Sequence, residues 1–296
     1  METNSPRDLA HLPALQPRTN SQIIALTLSV YREHLGKILL FSLVINGIAA
    51  VFLLPVQLDY QRDLINTLSN PIIRDTESLL NNQIAQASAQ LTLLSAQGLI
   101  SYLQTVPFAA LCVYLTSEWL FNRKVSMNET LRESRGGMRR FALGLLMYIL
   151  LMVALFVVFG ISSIVFLPLA LLGGVFLYAA ITLYYFLAPI YTLENNKATD
   201  GLVRAWQLGK VNFWSNFALN ITLAVFVLGT TLVVSAIFES LTARQITLAN
   251  WESYYTIGFL LGTVITIVFA PLSPIAMTIK YFDARVRYEG LDIALK

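Results

Sequence analysis

Three polar residues within apolar stretches are the first candidates for chemistry. Glu118 is the acidic residue within or near a predicted membrane span, and Asn216 and Asn220 lie one helical turn apart in another span. Together they form a candidate polar path, in which the carboxylate binds a proton or cation facing a bundle interior. Each also has a simpler interpretation. Glu118 reaches Arg123 or Lys124 at the membrane surface, and the two amides bond between helices, at about 0.6–2 kcal/mol each.

The residues that membrane enzymes require are scarce. His11 and His34 lie outside the apolar stretches, which excludes a Ser–His pair or a His-Glu-x-x-His zinc motif inside them. The single cysteine, Cys112, allows no intramolecular disulfide and is expected to pack as a small apolar residue. Only Glu118 is acidic within or near a span, so a carboxylate pair for acid–base work is unsupported, and the sequence has no Walker-type glycine-rich loop. The sequence therefore predicts a protein that is not an enzyme, with no catalytic, cofactor-binding or metal-binding residues.

Long uncharged stretches indicate where the chain crosses a membrane. The chain has 296 residues, 56% of them hydrophobic and only 12% charged, whereas soluble domains carry about 25% charged residues. The longest uncharged stretch, 141–193, has 53 residues, enough for two spans joined by a turn at 160–163. We expect an all-α integral membrane protein with six transmembrane helices, at about 38–58, 98–120, 141–160, 164–193, 212–237 and 254–279.

Basic residues are divided unevenly between the two sides of this topology. The N-terminal segment, the loops 122–140 and 194–210 and the C-terminal segment share one side and hold 17 Lys and Arg residues, against 3 on the other. Because cytoplasmic loops are enriched in Lys and Arg, both termini are predicted to be cytoplasmic. The expected location is the plasma or inner membrane, with membrane lipids and a possible membrane-protein partner, and no nucleic acid.

Amphipathic patterns outside the spans predict further helices. Residues 1–18 are expected to be a disordered cytoplasmic tail, and 19–296 a single six-span domain. Cytoplasmic surface helices are predicted before spans 1, 3 and 5, and Leu35-Gly36-Lys37 before span 1 recurs as Leu208-Gly209-Lys210 before span 5.

An extracytoplasmic helical arm is expected over 59–97, with a seam that packs against 59–67. The seam consists of residues that recur every three or four positions and so share one helix face: Leu80, Ile84, Ala87, Leu91 and Leu94.

The loop 122–140 is the most basic part of the chain. Its cationic side chains are candidate contacts for anionic lipid headgroups, and they equally fit the ordinary charge of a cytoplasmic loop. These residues are Arg123, Lys124, Arg132, Arg135, Arg139 and Arg140.

The stretch after the last span combines aromatic and charged residues. Asp283 and Arg287, like Arg285 and Glu289, are spaced to pair on a helix surface, and Gly290 is a natural stop. We expect this helix to dock on the apolar faces of the surface helices, at Ile24, Leu28 and Tyr31 and at Leu202 and Trp206. The alternative is a helix end whose aromatic rings lie among lipid headgroups. The candidate docking residues are Tyr281, Phe282, Asp283, Arg285, Arg287 and Glu289.

Two motifs resemble a known family. Residues 281–292 read Tyr-Phe-Asp-Ala-Arg-Val-Arg-Tyr-Glu-Gly-Leu-Asp, and 202–208 read Leu-Val-Arg-Ala-Trp-Gln-Leu, followed by Asn-Phe-Trp at 212–214. With six spans and intervening surface helices, the chain resembles the membrane domain found in front of some bacterial glycerophosphodiester phosphodiesterases, and related stand-alone proteins of unknown function. The resemblance covers most of the chain after Gln22, and the arm 59–97 departs from it. It implies a fold and no activity.

Two functions fit these observations. The first is a non-catalytic membrane scaffold or accessory component that engages lipid or a protein partner. The second is a transporter or channel for a small solute or lipid, which requires Glu118, Asn216 and Asn220 to share one cavity.

Overall fold

The protein is helical throughout the part that is described. A computed structural model describes residues 17–69, 76–123, 127–165, 168–242, 247 and 249–290. Within these ranges, six helical segments are long and apolar enough to cross a membrane, which confirms the predicted number. The helices are α1 Asn20–Glu33, α2 Leu35–Ser69, α3 Thr76–Leu120, α4 Met127–Val165, α5 Pro168–Leu183, α6 Leu187–Leu193, α7 Ala198–Val211, α8 Phe213–Thr242, α9 Trp251–Phe269 and α10 Leu272–Glu289.

Local sequence explains where several helices begin and end. The side chain of Thr19 accepts from the backbone N–H of Gln22, whose own side chain accepts from the backbone of Thr19, so α1 begins with a capping box. Gly290 ends α10 with φ 62°, the left-handed conformation that glycine adopts without a Cβ penalty. The predicted stop at Gly290 is therefore confirmed.

Two predicted spans are divided differently from the expectation. Residues 160–163, predicted to form a turn, are helical, because α4 continues to Val165 and α5 begins at Pro168. Proline suits this first position because its missing N–H has no helical partner there. The span predicted at 164–193 is interrupted between α5 and α6. The last apolar stretch is interrupted at residues 270–271, where Pro271 precedes the first residue of α10.

The chain folds into two compact units, each assembled from separate stretches of sequence. Unit 1 comprises Met1–Ile38, Val106–Phe226 and Ala270–Lys296, and unit 2 comprises Leu39–Thr105 and Val227–Phe269. Of the predicted disordered tail at 1–18, residues 1–16 lie outside the described residues. Arg18, which was predicted to end this tail, is instead 5% exposed in unit 1.

Unit 1 is built around α4 and α6. Helix α4 packs on α5, α6 and α7, while α10 packs on α1 and α6. Tyr191 on α6 is fully buried, and a Cβ at Gly144 or Gly201 would collide with its ring. The two glycines therefore bring α4 and α7 close to α6. We call the four short helices α1, α6, α7 and α10 the platform.

The helices predicted before spans 1 and 5 are present, but they face differently. In α1 the buried residues are Ile23, Thr27 and Val30. Leu28, which was predicted to contact the helix after the last span, is 51% exposed. In α7 the buried residues are Gly201, Ala205, Leu208 and Gly209, and Trp206 is 44% exposed. Of the predicted docking faces, Leu28 and Trp206 therefore point outward, whereas Ile24, Tyr31 and Leu202 are half-buried. The platform packs through the stripes beside Leu28 and Trp206.

Unit 2 is held together by polar contacts near its apolar helices. Ser42 Oγ donates to the carbonyl of Ile267 over 2.7 Å, and Asn46 Nδ2 donates to the carbonyl of Ser42 over 2.9 Å. Asn46 Oδ1 in turn accepts from Gln104 Nε2 at 3.3 Å. These bonds connect α2 to α9 and to α3 within the unit.

The arm residues of α3 belong to one uninterrupted helix, as predicted, but the seam is placed differently. Ile84, Leu91 and Leu94 are 58%, 65% and 54% exposed, so they do not pack on α2. Leu80 lies outside the residues whose side chains are described. A cavity of about 300 Å³ is instead lined by residues of both helices: Tyr60, Asp63, Leu64 and Asn66 from α2, and Ala85, Gln86, Ala89 and Gln90 from α3.

Candidate functional site

Helix α10 carries the densest group of buried polar residues in the described part of unit 1. Tyr281 and Asp283 are 0% exposed and Phe282 is 5% exposed, although all three lie in a charged sequence. Phe282 packs edge-on against Phe121, with 5.4 Å between ring centroids. These side chains of α10 are therefore enclosed by protein, and the polar ones among them need hydrogen-bond partners there.

One face of α10 surrounds the carboxylate of Asp283 with positive charge. Asp283 Oδ1 accepts from the backbone N–H of Arg18 at 2.6 Å and from Arg287 Nε at 2.8 Å. Its Oδ2 accepts from Lys280 Nζ at 3.1 Å. Arg287 Nη2 also donates to the carbonyl of Arg18 at 2.7 Å. We call Arg18, Lys280, Asp283 and Arg287 the Asp283 cluster.

The buried ammonium of Lys280 extends this cluster to α8. Lys280 is 3% exposed, and its Nζ donates to Ser215 Oγ at 2.8 Å and to Asn20 Oδ1 at 3.5 Å. Asn20 and Ser215 also bond to each other, since Asn20 Nδ2 donates to the carbonyl of Ser215 at 3.0 Å. With Asp283, these contacts use all three N–H donors of Lys280.

The adjacent face of α10 carries a second network. Tyr281 Oη donates to Glu194 Oε1 at 2.6 Å, and Arg285 Nε donates to Glu289 Oε2 at 3.1 Å. Arg204 on α7 joins both acids, with Nη2 2.6 Å from Glu289 Oε2 and Nε 3.4 Å from Glu194 Oε2. We call Glu194, Arg204, Tyr281, Arg285 and Glu289 the Glu289 network.

The Glu289 network is electrically balanced. Burial disfavours the charged form of Arg204, but its hydrogen bond to Glu289 and the attraction of both carboxylates outweigh this and raise its pKa. Glu194, Arg204 and Arg285 of the network also line a surface cavity of about 370 Å³, together with Val203 and polar residues of α7 and the loop before it. The network thus joins α7 to α10 with its charges matched.

The residues of the proposed polar path do not meet. Glu118 lines a cavity of about 410 Å³ with Glu33, His34, Lys37, Leu115, Trp119, Asn122 and Arg123, and none of the described residues of α8 lines it. Arg123 Nη1 lies 3.6 Å from Glu118 Oε1, and Trp119 Nε1 donates to Glu33 at 2.6 Å. Burial lowers the pKa of His34, the largest of the effects on it, which favours a neutral imidazole at this cavity.

On α8 the two amides differ. Asn216 is 0% exposed, and its side-chain nitrogen and oxygen are both buried without a hydrogen-bond partner. Asn220 is only partly buried. The polar path therefore lacks a shared cavity in the described residues, and Asn216 is left as a buried amide whose polar atoms are unsatisfied.

The basic side chains of the loop 122–140 lie in different environments. Arg132 and Arg135 are exposed, and Arg139 is exposed beside them. Arg140 instead points into unit 1, where its Nε donates to the carbonyl of Tyr191 at 3.2 Å and its Nη1 bonds to Asn195. Arg123 pairs with Glu118 as described above, and Lys124 lies outside the described residues. Arg140 is thus occupied by the protein itself, while the other described arginines reach the surface.

Sequence reasoning found part of the two networks. Both i,i+4 pairs on α10 are present, Asp283 with Arg287 and Arg285 with Glu289. Lys280 was missed, although it lies three residues before Asp283 inside an apolar turn, a spacing that would have indicated a pair. The long-range partners Arg18, Asn20, Glu194, Arg204 and Ser215 gave no such signal.

Comparison of the chain with protein-family models, with curated proteins and with solved structures finds no match in any of the three.

Proposed function

We propose that the chain is a non-catalytic, multi-pass protein of the plasma or inner membrane, with both termini in the cytoplasm. In this proposal it acts as a scaffold or accessory component, and its platform engages membrane lipid or a membrane-protein partner. Within the same proposal it is a stand-alone relative of the six-span domain found in front of bacterial glycerophosphodiester phosphodiesterases.

The observation that carries the proposal is how α10 is held. Its charged and aromatic side chains are used to bind α10 to α1, α6 and α7, through the Asp283 cluster and the Glu289 network. Side chains committed to each other in this way build a fixed surface and are not available to line a path for a solute. The separation of Glu118 from Asn216 and Asn220 supports the same conclusion.

The outer side of the platform has the character of a surface that meets membrane components. Trp206 and Val203 on α7 are 44% and 57% exposed, and Trp214 at the start of α8 is 76% exposed. Tryptophan is enriched where a membrane meets water, because its ring is amphipathic. These side chains would set the platform at headgroup depth, where lipid and other membrane proteins are both within reach.

In-cell photo-crosslinking tests this function. A photoreactive amino acid replaces Val203 on the platform, or Leu232 of α8 as the control, which is 69% exposed in an apolar helix. We expect Val203 to give discrete adducts with headgroup-bearing lipid or with one membrane protein, and Leu232 to give only acyl-chain adducts. In parallel, purified protein in liposomes should conduct no solute. A solute flux that Asn216→Leu abolishes, together with no discrete adduct at Val203, would establish the transporter instead.

A further inference from the structure

The Asp283 cluster carries more positive than negative charge. The side chains of Lys280 and Arg287 contact the single carboxylate of Asp283, and Arg18 contacts it through its backbone N–H. Counted over these four described residues, three cationic side chains and one carboxylate leave a formal charge of +2. Lys280 and Asp283 are almost completely buried, and Arg18 is 5% exposed. Buried charges in proteins are ordinarily paired, because an unpaired ion loses its hydration without compensation.

The Glu289 network shows that the same helix can balance its charges. There, Arg204 and Arg285 are matched by Glu194 and Glu289, with distances of 2.6–3.4 Å joining them. The two groups lie on adjacent faces of α10, and each joins basic side chains to carboxylates. The excess of positive charge is therefore a property of the Asp283 face alone.

Among the described residues, one donor in the cluster has no acceptor. Nη1 of Arg18 is buried without a hydrogen-bond partner, while the donors of Lys280 are all used. A guanidinium remains charged at every physiological pH, so it cannot escape the cost of burial by losing its proton. Burial lowers the pKa of Arg18 more than the attraction of Asp283 raises it, so Asp283 alone does not compensate the guanidinium.

We propose that the Arg18 side of this cluster, with Arg287 at its open edge, binds the phosphate monoester group of a ligand. A phosphate monoester carries a charge of about −1.5 to −2 near neutral pH and several acceptor oxygens, which matches both the excess charge and the unused donor. Arginine suits this group because its planar fork meets two phosphate oxygens at once. The side chain of Arg287 is 41% exposed and gives the ligand access from solvent.

Two sources offer this chemistry, a phosphatidic acid headgroup and free inorganic phosphate. The lipid source rests on the proposed function, because it requires the platform to lie at headgroup depth. The free-phosphate source does not. The binding experiment therefore separates the two, and loss of the crosslinks at Val203 would leave the phosphate site standing.

The full chain is placed in phosphatidylcholine nanodiscs, and its thermal unfolding is followed with increasing phosphatidic acid in the discs, or with inorganic phosphate added at constant ionic strength. Phosphatidylglycerol, a phosphodiester, and chloride are the respective reference anions. We expect one of the two, phosphatidic acid or inorganic phosphate, to raise the unfolding temperature more strongly than its reference does. Arg18→Gln should weaken this binding by about tenfold or more. Arg135→Gln, which removes an exposed charge from the basic loop, should leave it unchanged.

Arg18→Gln is expected to fold, because the bonds of Arg18 to Asp283 and Arg287 are made by its backbone. If it does not fold, Arg18→Lys keeps the charge without the fork and should show a smaller loss of affinity. The proposal is overturned if neither source stabilises the wild-type chain beyond its reference, or if the folded Arg18 variant responds as strongly as the wild type.

Discussion

At the scale of single residues, Asn216 is a buried amide whose two polar atoms have no hydrogen-bond partner among the described residues. Such a group costs about 1–3 kcal/mol, because it gives up its bonds to water without replacement. We expect Asn216→Leu to raise the free energy of unfolding by a similar amount, since leucine has nearly the same size. Thermal or denaturant unfolding of the full chain in detergent micelles measures the change.

Asn46 provides the matched control for that substitution. It is also buried, at 6% exposure, but its amide bonds to Ser42 and accepts from Gln104. Asn46→Leu should therefore lower the free energy of unfolding by about 1–3 kcal/mol, because the amide of Gln104 loses its acceptor. Equal losses in both variants would show that Asn216 makes a bond that matters to the fold.

The contacts of α10 differ in whether they can be predicted from the sequence. The pairs of Asp283 with Arg287 and of Arg285 with Glu289 follow from helix geometry, because residues four apart meet on one face. The bond from the backbone N–H of Arg18 to Asp283 joins positions 265 residues apart. No local spacing encodes such a contact, since it depends on how α1 and α10 pack.

At the scale of helices, the repeated Leu-Gly-Lys tripeptide has two different environments. A Cβ at Gly209 would collide with the backbone of Leu183, where α7 crosses the end of α5, whereas a Cβ at Gly36 would meet nothing within 4 Å. We expect Gly209→Ala to lower the free energy of unfolding by about 1–3 kcal/mol through overpacking. Gly36→Ala should instead be neutral or stabilising by up to about 1 kcal/mol, because alanine favours a helix.

Unfolding curves of the two glycine variants, recorded in one detergent, test this difference directly. A Gly209 variant as stable as the Gly36 variant would mean that α7 can move away from α5 without loss.

The arm of α3 allows a second comparison between positions. Ile84 is 58% exposed, so Ile84→Asp should change the unfolding free energy by less than about 0.5 kcal/mol. Ala89 lines the cavity between α2 and α3 together with Asp63. Ala89→Asp would place a second carboxylate there and should lower stability by about 0.5–3 kcal/mol. A large loss for Ile84→Asp and none for Ala89→Asp would restore the seam predicted from the sequence.

Helix positions were predictable, whereas the direction each helix faces was not. In α1, Ile23 and Val30 are buried while the equally apolar Leu28 is exposed. Lipid tails are as apolar as a leucine side chain, so a helix at a membrane can have an apolar face toward lipid as well as one toward protein. Periodicity detects both faces and does not distinguish them. The seam of α3 failed for a related reason, because Ala89 packs inward although it is less hydrophobic than Leu91.

At the scale of the whole molecule, the uneven distribution of Lys and Arg predicts the orientation in the membrane. Single cysteines replace Ser88 on the arm and Arg135 on the basic loop, in a Cys112→Ala background. Both positions are exposed, whereas Ser134 is only 1% exposed and would react slowly on either side. An impermeant thiol reagent on intact cells should label position 88 and spare position 135 until the cells are opened. Labelling of 135 alone in intact cells would reverse the topology.

The pairing of α1 with α10 has a consequence for biosynthesis. The bond from Arg287 to the carbonyl of Arg18 spans 269 positions, so Arg18 is synthesised long before its partner. Until α10 emerges, Ile23 and Val30 on α1 have no cover from it, because chains fold as they are synthesised from the N-terminus. A nascent chain that stops before Leu272 therefore leaves the apolar stripe of Ile23 and Val30 without the helix that packs on α1.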